Sequence, residues 1–119
     1  MQTGQLLTWS TEQHDDKIVL RLSGELSRDT LLPLWNEWKK GGQRASFLSE
    51  ADIIHRHIRW DLGAISRIDS AGVALLCNLL AYCRQKQQDK TLLLENVPPQ
   101  LMTLADLFDL TDWLKPFIK

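Results

Sequence analysis

The sequence predicts an α/β domain, a mixed four-stranded sheet flanked by helices in the order ββαβαβα. Three observations carry that expectation. Ile58, Trp60 and Leu62 alternate with Arg59 and Asp61, the two-residue period of a strand with one face buried more deeply than the other. Asp69-Ser70 then precedes a stretch with few helix breakers from Ala71 to Gln88, and either side chain could cap the free N–H groups of a first helical turn. Thr91 to Leu94 is a compact apolar run suited to a buried strand, parallel to the first because a helix separates the two. At 119 residues, without internal repeat or linker, the chain is expected to form a single domain over residues 1–119 around one core.

In chain order, Gln5 to Ser10 and Lys17 to Ser23 are two strand candidates, the second with Ile18, Leu20 and Leu22 alternating against Lys17, Val19 and Arg21. Glu12 to Asp16 is a polar connector, so the pair reads as an antiparallel hairpin, with Gly24 closing the second strand. Thr30 is the expected N-cap of the next helix, which puts Pro33 at its third position, where a missing N–H has no intrahelical partner anyway. Leu31, Leu34, Trp35 and Trp38 form its stripe, and read from the residues alone the two tryptophans are core. Gly41-Gly42 stops this helix. From Gly41 to His55 the pattern is ambiguous: Phe47, Leu48, Ala51 and Ile54 would line a short helix, and the stretch is expected to be a surface insertion that can be deleted up to Asp52. Gly63 is expected to end the central strand and Asn96 the last one. Pro98-Pro99 then opens a helix with Leu101, Leu104, Ala105 and Phe108 on one face, and Leu110, Trp113, Leu114 and Phe117 form a short final turn.

The central helix is the unusual element. From Val73 to Ala81 only Asn78 is clearly polar, whereas a helix on a sheet needs one apolar stripe of roughly 100°. Its amino-terminal half, with Ser70 at the tip, is therefore the best candidate for contact with another protein; the alternative is a helix sandwiched within its own domain. Cys77 and Cys83 point to different sides of this helix, cannot pair, and lack a neighbouring base or cation, so packing is their expected role.

Composition excludes several functions. A hydrophobic share of 44% and a charged share of 24% fit a globular protein, and a net charge of −1 removes the electrostatic argument for nucleic acid. No segment approaches the ~20 apolar residues that span a bilayer, and the start lacks a basic region followed by a long apolar core, so a cytoplasmic location is expected. GxGxxG, a phosphate loop ending in GK[ST], HExxH and GxSxG are all missing, and no cofactor is expected. His55 and His57 would share a strand face, yet no Cys, Asp or Glu completes a ligand set with recognisable spacing, and no orienting acid or oxyanion site accompanies Asp69-Ser70. The chain is not expected to be an enzyme.

Asp61, Leu62, Ile68, Asp69, Ser70 and Gly72 match a pattern of strand, Asp-Ser-x-Gly turn and apolar helix, followed here by a strand and a Leu-rich helix. By these residues most of the chain resembles the STAS domain, the family of anti-sigma factor antagonists and sulfate-transporter tails. LSGELSRDTLLPLW adds a narrower match to the branch that forms a small cytoplasmic subunit of the phospholipid ABC transporter maintaining outer-membrane lipid asymmetry in Gram-negative bacteria. The resemblance implies a non-catalytic adaptor docked on the ATPase subunit, and through it on the permease, at the inner face of the inner membrane. It also implies a partner-binding set of Trp35, Asp69, Ser70, Gly72, Leu75 and Leu79, and moves Trp35 from core to docking surface. The alternative it allows is an anti-sigma factor antagonist controlled by phosphorylation of Ser70, whose position matches the residue modified in that group.

Overall fold

The computed structural model describes residues 6–39, 48–87 and 89–118. Its sheet has the order β1-β2-β3-β4, with β1 (Thr8–His14) antiparallel to β2 (Lys17–Leu26), and β3 (His57–Ile68) parallel to both β2 and β4 (Leu92–Glu95). The register puts Ile18, Ile58 and Leu92 in one row and Leu20, Trp60 and Leu94 in the next, all buried. The opposite face carries Arg21 beside Asp61, with Glu95 next in that row and ion-paired to Arg59 at 2.8 Å. A sheet that buries one face and solvates the other produces this alternation.

Strand boundaries differ from expectation in β1, β2 and β3. β1 starts at Thr8 and pairs through His14, so the connector shrinks from Glu12–Asp16 to Asp15-Asp16, with Asp15 in the left-handed region at φ 50°. The polar run of β1 stays in the ladder because the strand is exposed along nearly its whole length and needs no apolar alternation. Neither Gly24 nor Gly63 ends a strand. Register shifts fall between Arg21 and Ser23 and between Gly24 and Glu25, each with one extra residue on β3. Bulges of this kind bend a strand and raise its twist without ending it. Gly63 lies in the first, and Gly24, at φ 99°, opposite the second.

Helix α1 (Leu32–Lys39) follows a turn built on a buried polar knot. Thr30 Oγ1 donates to the Glu25 carbonyl and accepts from the Ser27 N–H, and Ser27 Oγ donates to the Glu25 carboxylate at 2.6 Å. Thr30 therefore shapes the turn and does not cap the helix, and Pro33 is the second helical residue. Leu34 is in the core and Trp35 is half-buried against it, while the Trp38 side chain, Gly41-Gly42 and Phe47 lie outside the described residues.

Within the stretch 41–55, a second helix, α2 (Glu50–His55), is capped by Ser49 Oγ accepting from the Asp52 N–H at 3.1 Å. Leu48 and Ile53 are 2% and 1% exposed, and α2 packs on the central helix. This part belongs to the core, which corrects the expectation of a surface insertion over residues 48–55.

The central helix, α3 (Ser70–Lys86), packs against α2, α4 (Pro99–Leu107), β3 and β4. Those neighbours account for most of its all-round apolarity. On α4, Leu101 and Ala105 are buried, whereas Phe108 follows the helix and is exposed, which corrects its assignment to the core face. α5 (Thr111–Leu114) and a 3-10 turn (Lys115–Phe117) close the domain, burying Leu114 and Phe117 and leaving Trp113 exposed. Ile118 then bridges Leu94 on the outer edge of β4.

Candidate functional site

The tip of α3 is built by Asp69. Its Oδ1 accepts from the Gly72 N–H at 2.9 Å, an N-cap bond, and its Oδ2 accepts from the Arg28 N–H at 3.1 Å. Asp69 also donates its own N–H to the Leu26 carbonyl. One carboxylate thus satisfies an orphan donor of the first turn and ties the 27–31 turn, which leads directly into α1, to α3. A Cβ at Gly72 would stand 2.2 Å from the Leu26 oxygen, so the residue must be glycine for β2 and α3 to approach this closely.

Of the expected set, Asp69 and Gly72 hold the turn and Ser70 is what the turn displays. Ser70 is exposed at the first helical position, and Asp69, not Ser70, is the cap. Leu75 and Leu79 are 4% and 0% exposed within the domain itself. As direct partner contacts they are corrected: both project into the layer that α3 shares with its own neighbours. What α3 leaves outside is a stripe of Ser70, Ala74, Asn78 and Ala81, spaced by a turn of helix, with Cys77 half-buried beside it.

On α1, Trp35 keeps part of its indole at the surface, and Leu32, one turn before it, is 57% exposed. Leu32 was missed in the sequence because it falls off the Leu31–Leu34–Trp35 stripe; an apolar residue outside the core stripe of a short helix is the signal that would have found it. Arg28 and Asp29 are likewise exposed on the turn that Asp69 anchors. The arrangement offers a small hydroxyl, a shallow row of small side chains and a partly open aromatic, which suits contact with a protein surface.

Two of the histidines are engaged on the sheet, with His57 Nδ1 accepting from the Thr91 N–H at 3.0 Å and His14 against Glu12. No cluster of three metal-binding side chains occurs among the described residues. Burial pushes the Cys83 thiol up to about 12 and raises that of Cys77, so neither is poised as a thiolate. Among the described residues, no helix is long and apolar enough to cross a membrane.

The chain is 45% identical over 113 residues, 95% of its length and 100% of the relative's, to the intermembrane phospholipid transport system binding protein MlaB of Haemophilus influenzae. It is 34% identical to the protein of the same name from Escherichia coli, over 77% of this chain and 80% of that one. Among solved structures, the phosphorylated form of the Bacillus cell fate determinant SpoIIAA superposes with a TM-score of 0.59 over 94% of this chain and 89% of that one, at 19% identity, a likeness of fold. The family model described as "Mlab, STAS domain" matches residues 9–117, nearly the whole described chain from β1 to the last turn, and the chain belongs to that family.

Proposed function

We propose that this chain is a non-catalytic adaptor that binds an MlaF-like ATPase subunit of a phospholipid ABC transporter on its cytoplasmic side and supports its assembly or activity. The observation that carries the reading is the full-length match at 45% identity to a relative named as a binding protein of an intermembrane phospholipid transport system. The surface supports it. Asp69 and Gly72 are consumed by the fold, and the turn they make presents Ser70 at the surface.

The docking face on this reading is Ser70 with the outer α3 stripe, flanked by Leu32 and Trp35. Ser70→Arg puts a long cation into a shallow contact while leaving the Asp69 cap intact, so the variant should fold, with an unchanged circular dichroism spectrum, and fail to co-purify with the ATPase. Trp35→Ala should cost at least about 2 kcal/mol in affinity, as aromatic anchors do, and less than that in stability, because the ring is only half-buried. Isothermal titration and urea denaturation measure the two. Wild-type affinity in both variants would mean that the ATPase docks elsewhere or not at all.

A further inference from the structure

A second surface lies near the other end of α3, about 21 Å along the helix axis from Ser70. There α3 and the carboxy-terminal turn diverge into two clefts of about 450 Å³ each. Ala81, Arg84, Asp112, Trp113 and Phe117 line the first; Lys90 and Leu93 line the second; Arg84 and Pro116 form the wall common to both. The two clefts therefore adjoin at Arg84 and Pro116 and are treated together as one groove.

Arg84 is its central feature. The guanidinium stacks over the Phe117 ring, 5.3 Å from the centroid, which orients the group. It makes no hydrogen bond or ion pair with any described residue, and neither does Lys90. Asp112 lines the same cleft without pairing with Arg84. Arg84 therefore presents its donors beside apolar surface, and an exposed Trp113, 41% accessible and packed on Phe117 at 5.1 Å, lines the same cleft. On the far side, β4 has its outer edge bridged only at Leu94 among the described residues, leaving Leu92 and Leu93 beside the second cleft.

We infer that this groove binds an extended segment of a partner protein carrying a carboxylate next to a bulky apolar side chain. The carboxylate meets Arg84, with Lys90 behind it, and the apolar side chain lies against Trp113 and Pro116. Charge selects the occupant: among the described residues, two cations without a carboxylate partner line the clefts, with Asp112 the one acid lining them. Two adjoining clefts beside a strand edge suit a peptide more than a compact ligand.

The test is selection of random peptides displayed on phage against the whole protein, repeated on Arg84→Glu and, as a milder change, Arg84→Gln, each first checked for an unchanged circular dichroism spectrum. Enriched peptides should carry Asp or Glu beside Leu, Phe or Trp. Their affinity should drop about tenfold on Arg84→Glu and less on Arg84→Gln, and Trp113→Ala should weaken them independently. Ser70→Arg should leave them unaffected, which separates this groove from the proposed ATPase face. Basic or uncharged winners, no enrichment, peptides indifferent to Arg84, or Arg84-dependent binding to phosphatidylglycerol vesicles instead would each overturn the assignment.

Discussion

Gly72 tolerates no side chain, because the Leu26 carbonyl oxygen already occupies the place of its Cβ, 2.2 Å away. The contact is with backbone on β2, which cannot swing aside as a flexible side chain would. Gly72→Ala should therefore destabilise the domain more than removal of the neighbouring cap, Asp69→Ala, which should cost about 0.5–2 kcal/mol, with some addition for the lost Arg28 tie. Ser70→Ala, at an exposed first helical position with no capping bond, should stay within about 0.5 kcal/mol of wild type. Urea denaturation of the three variants orders them, and a Ser70→Ala cost equal to that of Asp69→Ala would mean that the hydroxyl shares the cap. The motif was legible in the sequence as a set of positions, while the division of labour within it was not. Which of two adjacent polar residues caps a helix depends on where the backbone turns, and that is decided by β2, more than 40 residues upstream, whose Leu26 carbonyl receives the Asp69 N–H. Leu75 and Leu79 were misassigned for a related reason: an all-apolar helix looks the same in sequence whether its extra face meets a partner or meets α2 and α4.

Between α1 and β3, the sequence shows double glycine and polar residues, and a deletion up to Asp52 looks harmless. The structure gives α2 a different weight. Leu48 enters the core ahead of the helix, Ser49 caps it, Arg56 pairs with Asp52 at 2.9 Å, and Ile53 is enclosed against α3. Joining Lys40 to Ile53 would remove Leu48 and the cap together. The expected result is loss of cooperative unfolding, and Leu48→Ala alone should cost about 2–5 kcal/mol, the range for a buried leucine truncated in a packed core. A deletion that melts like wild type would return this segment to the surface. A short helix was one reading of this stretch, but at six residues, less than two turns, it is too short for a 3.6-residue period to show which face is buried, and Ile53 rather than Ala51 or Ile54 enters the core. The strands were legible in the opposite way: their buried rows Ile18–Leu20–Leu22 and Ile58–Trp60–Leu62 were plain, but their ends were not. Glycine in a strand signals either a stop or a bulge, and at Gly24 and Gly63 pairing with the neighbouring strand continued past it.

Across the whole molecule, the solvated face of the sheet is held by charge where the other face is held by apolar packing. Arg21 reaches Glu12, at 3.1 Å, and Asp61, at 3.3 Å, so that one side chain links β1, β2 and β3. Hydrogen bonds from His14 and then Arg21 hold the Glu12 carboxyl below its ordinary value. The Asn96 amide, the Gly63 N–H and then Arg21 do the same for Asp61, drawing in the residue just after β4. Both carboxylates are depressed in the folded state, so as pH falls the unfolded chain takes up their protons first. The stabilisation is complete above the ordinary carboxylate range, about 4, and is lost as pH drops through the lower folded values. Asp61→Asn isolates the effect: asparagine keeps an oxygen for the Gly63 N–H and resembles protonated aspartate, without the charge that Arg21 and Asn96 favour. The variant should melt below wild type at neutral pH, and the gap in melting temperature should close as the pH is lowered toward the depressed Asp61 value. Added salt at neutral pH should narrow it as well, since Arg21 is largely exposed and its attraction is screened within about 10 Å. A gap that persists unchanged in acid would instead assign the contribution of Asp61 to the shape of the bulge at Gly63, because protonation leaves that geometry in place while removing the charge.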